Sequence, residues 1–262
     1  MTTGRALVLD CDGVLADTER DGHLVAFNQA FAELGHDLSW SADEYKPLLA
    51  IGGGKERLRA YLQAHPSVDL ARGGDLDEAV AVVHRRKSEI YVELVDAGAL
   101  PGRPGVRRLV DEALEVGWQV AVASTSSARS VEAVLRSVVG TDAFSRTSGV
   151  FAGDVVPAKK PAPDIYELAL RELGRGLDEV VVIEDSAPGA LAARRAGLAH
   201  LVTVSYFTAD EEFPGATAVL DHLGEPGTPA TVQAGADVRN ADGVIDVGSL
   251  EATLRHSERA GG

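Results

Sequence analysis

At 262 residues, 45% hydrophobic and 25% charged, the chain has material for one large domain or two modest ones around a packed core. A formal net charge of −15 argues against nucleic acid or an anionic membrane as partner, and a single cysteine, Cys11, excludes an intramolecular disulfide. The first apolar run starts too early to leave room for a signal peptide, and none reaches the ~18–20 apolar residues of a membrane span. A cytoplasmic protein is expected.

Ala6-Leu7-Val8-Leu9 is a continuous apolar run, the pattern of a strand buried on both faces. It stops at Asp10 and Asp12, and Gly13 then permits a sharp turn. Alternate residues of an extended segment leave one face, so both carboxylates should leave the strand end together. Such a pair persists when a cation sits between the acids or when one acid keeps its proton. In isolation Asp12-Gly13 also fits a plain turn. Cys11, between them, reads as a small buried side chain.

From residue 17 to about 97 the pattern becomes helical. Leu24, Phe27, Phe31 and Leu34 recur at helical spacing, and further helices are expected over 43–50, 56–64 and 75–95. Helices without a convincing strand make an all-helical insert. Within it, Gly52, Gly53 and Gly54 precede Lys55 and Arg57, a pattern suited to backbone N–H groups approaching an anion, or to a simple hinge.

From Pro101 strands and helices alternate, which predicts a parallel sheet covered by helices. Helices are expected over 106–116, 127–138, 164–173 and 188–196, and strands over 119–123, 150–152, 180–183 and 201–204. Several strands finish in polar groups: Asp10 and Asp12, then Ser124 and Thr125, then Glu184 and Asp185. In open α/β sheets the ligand crevice lies outside the carboxyl ends of the strands, so these residues should converge. Beyond 223 the sequence reads as a loose linker, with 243–247 and 250–254 offering a small edge strand and a helix, and 257–262 expected to be disordered. The expected division is a core of 1–16 and 98–223, a cap of 17–97, and a partly flexible extension of 224–262.

Asp10 has the chemistry of a nucleophile toward phosphorus, and Asp12 that of an acid that later activates water. Asp185 and Glu184 suit a Mg²⁺ ion shared with Asp10 and Asp12. Ser124 offers a hydroxyl to a phosphoryl oxygen, with backbone N–H groups nearby, and Lys160 offers a compact cation between prolines.

Asp10-Cys11-Asp12-Gly13-Val14-Leu15, Ser124, Lys160-Pro161 and Glu184-Asp185-Ser186 together resemble the four ordered motifs of the haloacid dehalogenase superfamily. The resemblance implies a Rossmann-like α/β core with an inserted helical cap, Asp10 as nucleophile and Asp12 as acid/base. It also implies Ser124, Thr125 and Lys160 as phosphate holders, and Mg²⁺ on Asp10, the Asp12 carbonyl, Asp185 and Glu184. Asp43-Glu44-Tyr45, the Gly52–Arg57 loop, Ala152-Gly153-Asp154 and 159–166 are similar to the CbbY branch, phosphatases of xylulose-1,5-bisphosphate. That similarity implies a small phosphorylated sugar as substrate, a monomer, and sugar contacts from Asp17, Glu19, His23, Tyr45, Gly53, Gly54, Lys55 and Arg57. Two departures stand out: residues 18–23 look one residue longer than the branch's usual stretch, and Asp17 stands where the branch often has glutamate. A phosphomutase like β-phosphoglucomutase shares all four motifs and is the main alternative. A non-catalytic sugar-phosphate-binding protein is a distant third, since the acids, serine and lysine are intact.

Overall fold

The apolar run at the start forms β1 (Ala6–Leu9), every residue of it buried. In the computed structural model, which describes residues 4–51 and 53–260, β1 pairs in parallel with β2 (Gln119–Ser124) and β4 (Val180–Glu184). β3 (Gly149–Ala152), β5 (Ala199–Thr203) and β6 (Ala218–Leu220) extend the parallel sheet, and β7 (Val232–Gly235) adds antiparallel to β6. Among the described residues the strand order is β3-β2-β1-β4-β5-β6-β7. The chain leaves β1 toward one edge and then crosses to β4 on its other side. The β1/β4 boundary is therefore the switch point where such sheets open a crevice.

The core helices are α5 (Val106–Glu115), α6 (Ala128–Ser145), α7 (Asp164–Leu173), α8 (Ala187–Arg195) and α9 (Val247–Ala260). Ile165, Tyr166, Ala169 and Leu173 of α7, with Ala192 and Ala193 of α8, pack on Ala6, Val8, Ala121, Ala123, Val180 and Val182. α5 packs against α6 and α9. Several boundaries differ from those expected. Over Ala128–Ser145, labelled α6 as a whole, the helix expected to end near 138 breaks at Gly140, whose φ of 85° is non-helical and free of a Cβ penalty in glycine, and a second short helical stretch runs on to Ser145.

The segment beyond 223 is where composition misleads most. The added strand is β7, not 243–247; Val244 and Ile245 are buried in a loop, and α9 continues to Ala260. Arg108 of α5 fixes this segment by donating to the carbonyls of Ile245 (2.8 Å), Gly224 (3.0 Å) and Leu223 (3.3 Å). Glu225 accepts from the Gly105 amide at 2.8 Å. A Gly/Pro-rich stretch thus gains order from long-range partners that no local pattern reveals.

By internal contacts the chain divides into one unit of Met1–Asp17 with Leu100–Gly262 and a second of Thr18–Ala99. The second unit is all-helical among its described residues. A π-helical turn, Thr18–Leu24, runs into α1 (Val25–Glu33). The stretch 18–23, which reads as one residue long, falls in this wide turn, a form of helix that carries extra residues per turn. α2 (Ala42–Tyr45) starts at a Ser41–Glu44 capping box, α3 (Gly54–Ala64) at Gly53, and α4 (Leu76–Asp96) at an Asp75 cap. Trp40 anchors the interior, its ring centroid 5.0 Å from those of Phe27 and Phe31 and 5.1 Å from that of Tyr61. Among the described residues no helix is long and apolar enough to cross a membrane.

Candidate active site

Strand register places the first acid. The Asp10 amide still donates to Ile183 O at 2.9 Å, so its side chain emerges where β1 and β4 end together. β1 itself stops at Leu9, and the chain then turns: Gly13 N donates to Ala16 O at 2.8 Å and Leu15 N to Cys11 O at 2.9 Å. Asp10 and Asp12 therefore leave a turn rather than one strand face, and they have different partners. Gly13 is required there. Its φ is +84°, and a Cβ would lie 1.9 Å from the Asp185 carboxylate.

Asp10 Oδ1 accepts from Lys160 Nζ at 2.6 Å. The same ammonium donates to Glu184 Oε1 at 2.6 Å and Ala123 O at 2.9 Å, which occupies its three N–H groups. Burial, opposed by Lys160 and reinforced by Glu184 and Asp12, holds the Asp10 carboxyl up at about 7. Burial also opposes the Lys160 charge, but Asp10 and Glu184 outweigh it and keep the ammonium protonated well above its ordinary range. Cys11 is buried beside both aspartates, which pushes its thiol up and denies it thiolate reactivity.

Asp12 faces the end of β2. Its Oδ2 accepts from Ser126 Oγ at 2.5 Å and from Ser124 Oγ at 3.4 Å. The helix cap of α6 falls to Ser127, which accepts from Ser130 N at 3.3 Å, and this leaves the two preceding serines for the site. Thr125, between them, is exposed. Ser126 is the residue sequence reasoning passed over; the run of hydroxyls at a strand end was its only signal.

Glu184 ends β4 fully buried. Its Oε1 also accepts from the hydroxyl of Tyr166, a second residue to which the sequence analysis gives no site role. Asp185 follows, accepting from Thr208 Oγ1 at 3.5 Å. Burial first, then Asp10 and Glu184, push its carboxyl well above the usual range. Asp10, Glu184 and Asp185 each offer an oxygen within 4.8 Å of the others. Buried hard-oxygen donors in excess of the cation touching them fit a divalent ion of the Mg²⁺ kind. Arg103 secures the loop behind them by donating to Gly13 O (2.6 Å) and Val204 O (2.7 Å) and to Asp221 O. Asp17 accepts from the Tyr206 amide at 3.2 Å.

In the helical unit, Glu19 accepts from Tyr45 Oη at 2.9 Å and Arg57 Nη1 at 3.4 Å. The buried Arg57 donates to Tyr45 Oη and to Leu48 O (3.1 Å). These three predicted residues meet. His23 has its Nδ1 2.9 Å from Lys87 Nζ and its ring centroid 4.0 Å from that of Tyr91. Gly53 has φ +90° before α3, Gly54 lies against His84, and Lys55 is exposed on the first turn; Gly52 lies outside the described residues.

Over residues 5–197 the chain matches the family model described as haloacid dehalogenase-like hydrolase, and it belongs to that family. Within the family it falls in the CbbY branch. It is 45% identical over 227 residues to a CBBY-like protein of Arabidopsis thaliana, covering 86% of this chain and 71% of that one. It is 44% identical over 225 residues to the plasmid-borne protein CbbY of Cupriavidus necator, covering 86% and 88%. The crystal structure of CbbY from Rhodobacter sphaeroides with phosphate superposes with a TM-score of 0.70 at 42% identity, covering 85% of this chain and 96% of that one. A mutant of that protein was crystallised with xylulose-(1,5)-bisphosphate.

Proposed function

We propose that the chain is a Mg²⁺-dependent sugar-bisphosphate phosphatase that acts on xylulose-1,5-bisphosphate through an aspartyl-phosphate on Asp10. The observation that carries this reading is the division of labour at the switch point. Asp10 is held by Lys160, while Asp12, two residues on, is held by separate hydroxyls. The xylulose-(1,5)-bisphosphate complex of the Rhodobacter sphaeroides relative supports the choice of substrate.

An Asp10 oxygen attacks phosphorus as the bond to the sugar oxygen breaks, and that oxygen takes its proton from Asp12. Water then attacks phosphorus and gives a proton to Asp12. The bond to Asp10 breaks, releasing inorganic phosphate and restoring the carboxylate. Lys160, the Ser124 hydroxyl and the Thr125 amide orient the phosphoryl oxygens, and Ser126 aims Asp12. Asp10, the Asp12 carbonyl and Asp185 would hold Mg²⁺, with Glu184 in support, and the ion would supply the charge neutralisation that lets two anions meet. Asp17 in the core, with Glu19, His23, Tyr45, Gly53, Gly54, Lys55 and Arg57 of the helical unit, are the candidate contacts for the sugar and its second phosphate.

The test is phosphate release from xylulose-1,5-bisphosphate, ribulose-1,5-bisphosphate and β-glucose-1-phosphate with Mg²⁺, using Asp10→Asn as the blank. Preference for the first, lost in the variant, is expected. Isomerisation of β-glucose-1-phosphate without phosphate release would replace the proposal with the mutase.

A further inference from the structure

Tyr166 lies fully buried on α7 and belongs to none of the acid, serine or lysine positions above. Its hydroxyl donates to Glu184 Oε1, the same oxygen that receives Lys160 Nζ at 2.6 Å. Its ring faces the ammonium, with Nζ 5.1 Å from the ring centroid. The other Glu184 oxygen accepts from the Asp185 amide at 3.2 Å, and α8 closes over the carboxylate so tightly that a Cβ at Gly189 would lie 2.1 Å from it.

Lys160 is therefore shared between two carboxylates, Glu184 and Asp10, both at 2.6 Å. A buried carboxylate must be compensated by the donors around it. With Tyr166 supplying one of those donors, Glu184 does not depend on the ammonium alone. We infer that Tyr166 is a positioning residue: by sharing Glu184 it keeps Lys160 centred over Asp10, where the N–H now given to Asp10 can turn to a phosphoryl oxygen. The hydroxyl does this, while the ring only supports the ammonium from one side. This rests on the role of Lys160 given above.

The experiment titrates inorganic phosphate into the Mg²⁺-loaded full chain by calorimetry, comparing wild type, Tyr166→Phe, Lys160→Met and the double variant. Because only part of the worth of one hydrogen bond to a charged group reaches the bound phosphate, binding should weaken about three- to tenfold in Tyr166→Phe. KM should rise in step and Mg²⁺ affinity stay near wild type, with the melting temperature lowered only by the one lost buried hydrogen bond. In the Lys160→Met background the Tyr166→Phe change should cost less than about twofold, because the ammonium it positions is gone. Unchanged phosphate binding in Tyr166→Phe, with a clear loss in Lys160→Met, overturns the inference and leaves the role of Lys160 intact. Equal binding by wild type and Lys160→Met overturns both. A fall in Mg²⁺ affinity or melting temperature without a change in phosphate binding overturns it in favour of a metal-side or packing role.

Discussion

Replacing Asp185 by asparagine changes a charge but almost no volume, at a place where three buried carboxylates meet. The oxygens of Asp10, Glu184 and Asp185 lie within 4.8 Å of one another, so each carboxylate pair repels by about 3.5 kcal/mol at an effective dielectric of about 20. Lys160 bonds Asp10 and Glu184 and offsets much of that, while the attraction of Asp185 to Arg103 is forfeited in the variant. The net expectation is that Asp185→Asn stabilises the metal-free protein by about 1–3 kcal/mol. Urea denaturation at pH 8 in EDTA reads this directly. Repeating it with millimolar MgCl₂ should reverse the order, since under the proposed role of Asp185 the wild type gains more from binding the ion. An asparagine variant less stable than wild type in EDTA would refute the argument. So would the same order of stability in both buffers.

Arg108→Met should cost about 2–3 kcal/mol, because the carbonyls of Leu223, Gly224 and Ile245 lose a charged donor; an unchanged unfolding midpoint would show that the extension is held by packing alone. His200 gives a pH dependence. It is buried on β5 with Nε2 unpartnered among the described residues, and burial lowers its pKa below the ordinary 6.5. The unfolded chain therefore binds that proton more readily, and stability present above about pH 6.5 is lost as pH falls through the folded value. In His200→Gln the fall in unfolding free energy between pH 7.5 and 5 should shrink by up to about 2 kcal/mol, and an unchanged fall would contradict the assignment.

The strand ends that bear the acids and hydroxyls were legible because buried parallel strands advertise themselves as unbroken apolar runs, and an abrupt acid or hydroxyl stands out after such a run. Asp10, Ser124, Glu184 and Asp185 were all found this way. Ser126 and Tyr166 were not: Ser126 is one hydroxyl in a run of them, and Tyr166 stands within the 159–166 similarity with no role attached to it. Their partners, Asp12 and Glu184, lie 114 and 18 residues away. β6 is three residues long, and β7 is a largely exposed Val-Gln-Ala-Gly; neither has enough apolar length to register as a strand. The helical unit was visible as helices. Which of its polar residues meet depended on how Tyr45, Arg57 and Glu19 fold together.

The wide turn at Thr18–Leu24 has an evolutionary side. In a regular helix one inserted residue would rotate everything on one side of it by about 100°, turning a buried stripe toward water. Taken up as a single broad turn, the addition stays local, and Ala26, Phe27, Ala30 and Phe31 of α1 remain buried. A lineage can thus lengthen the entrance to the helical unit in one mutational event, without redesigning the packing beyond it. The positions around Asp21 and Gly22 then become ground on which new substrate preferences can be tried.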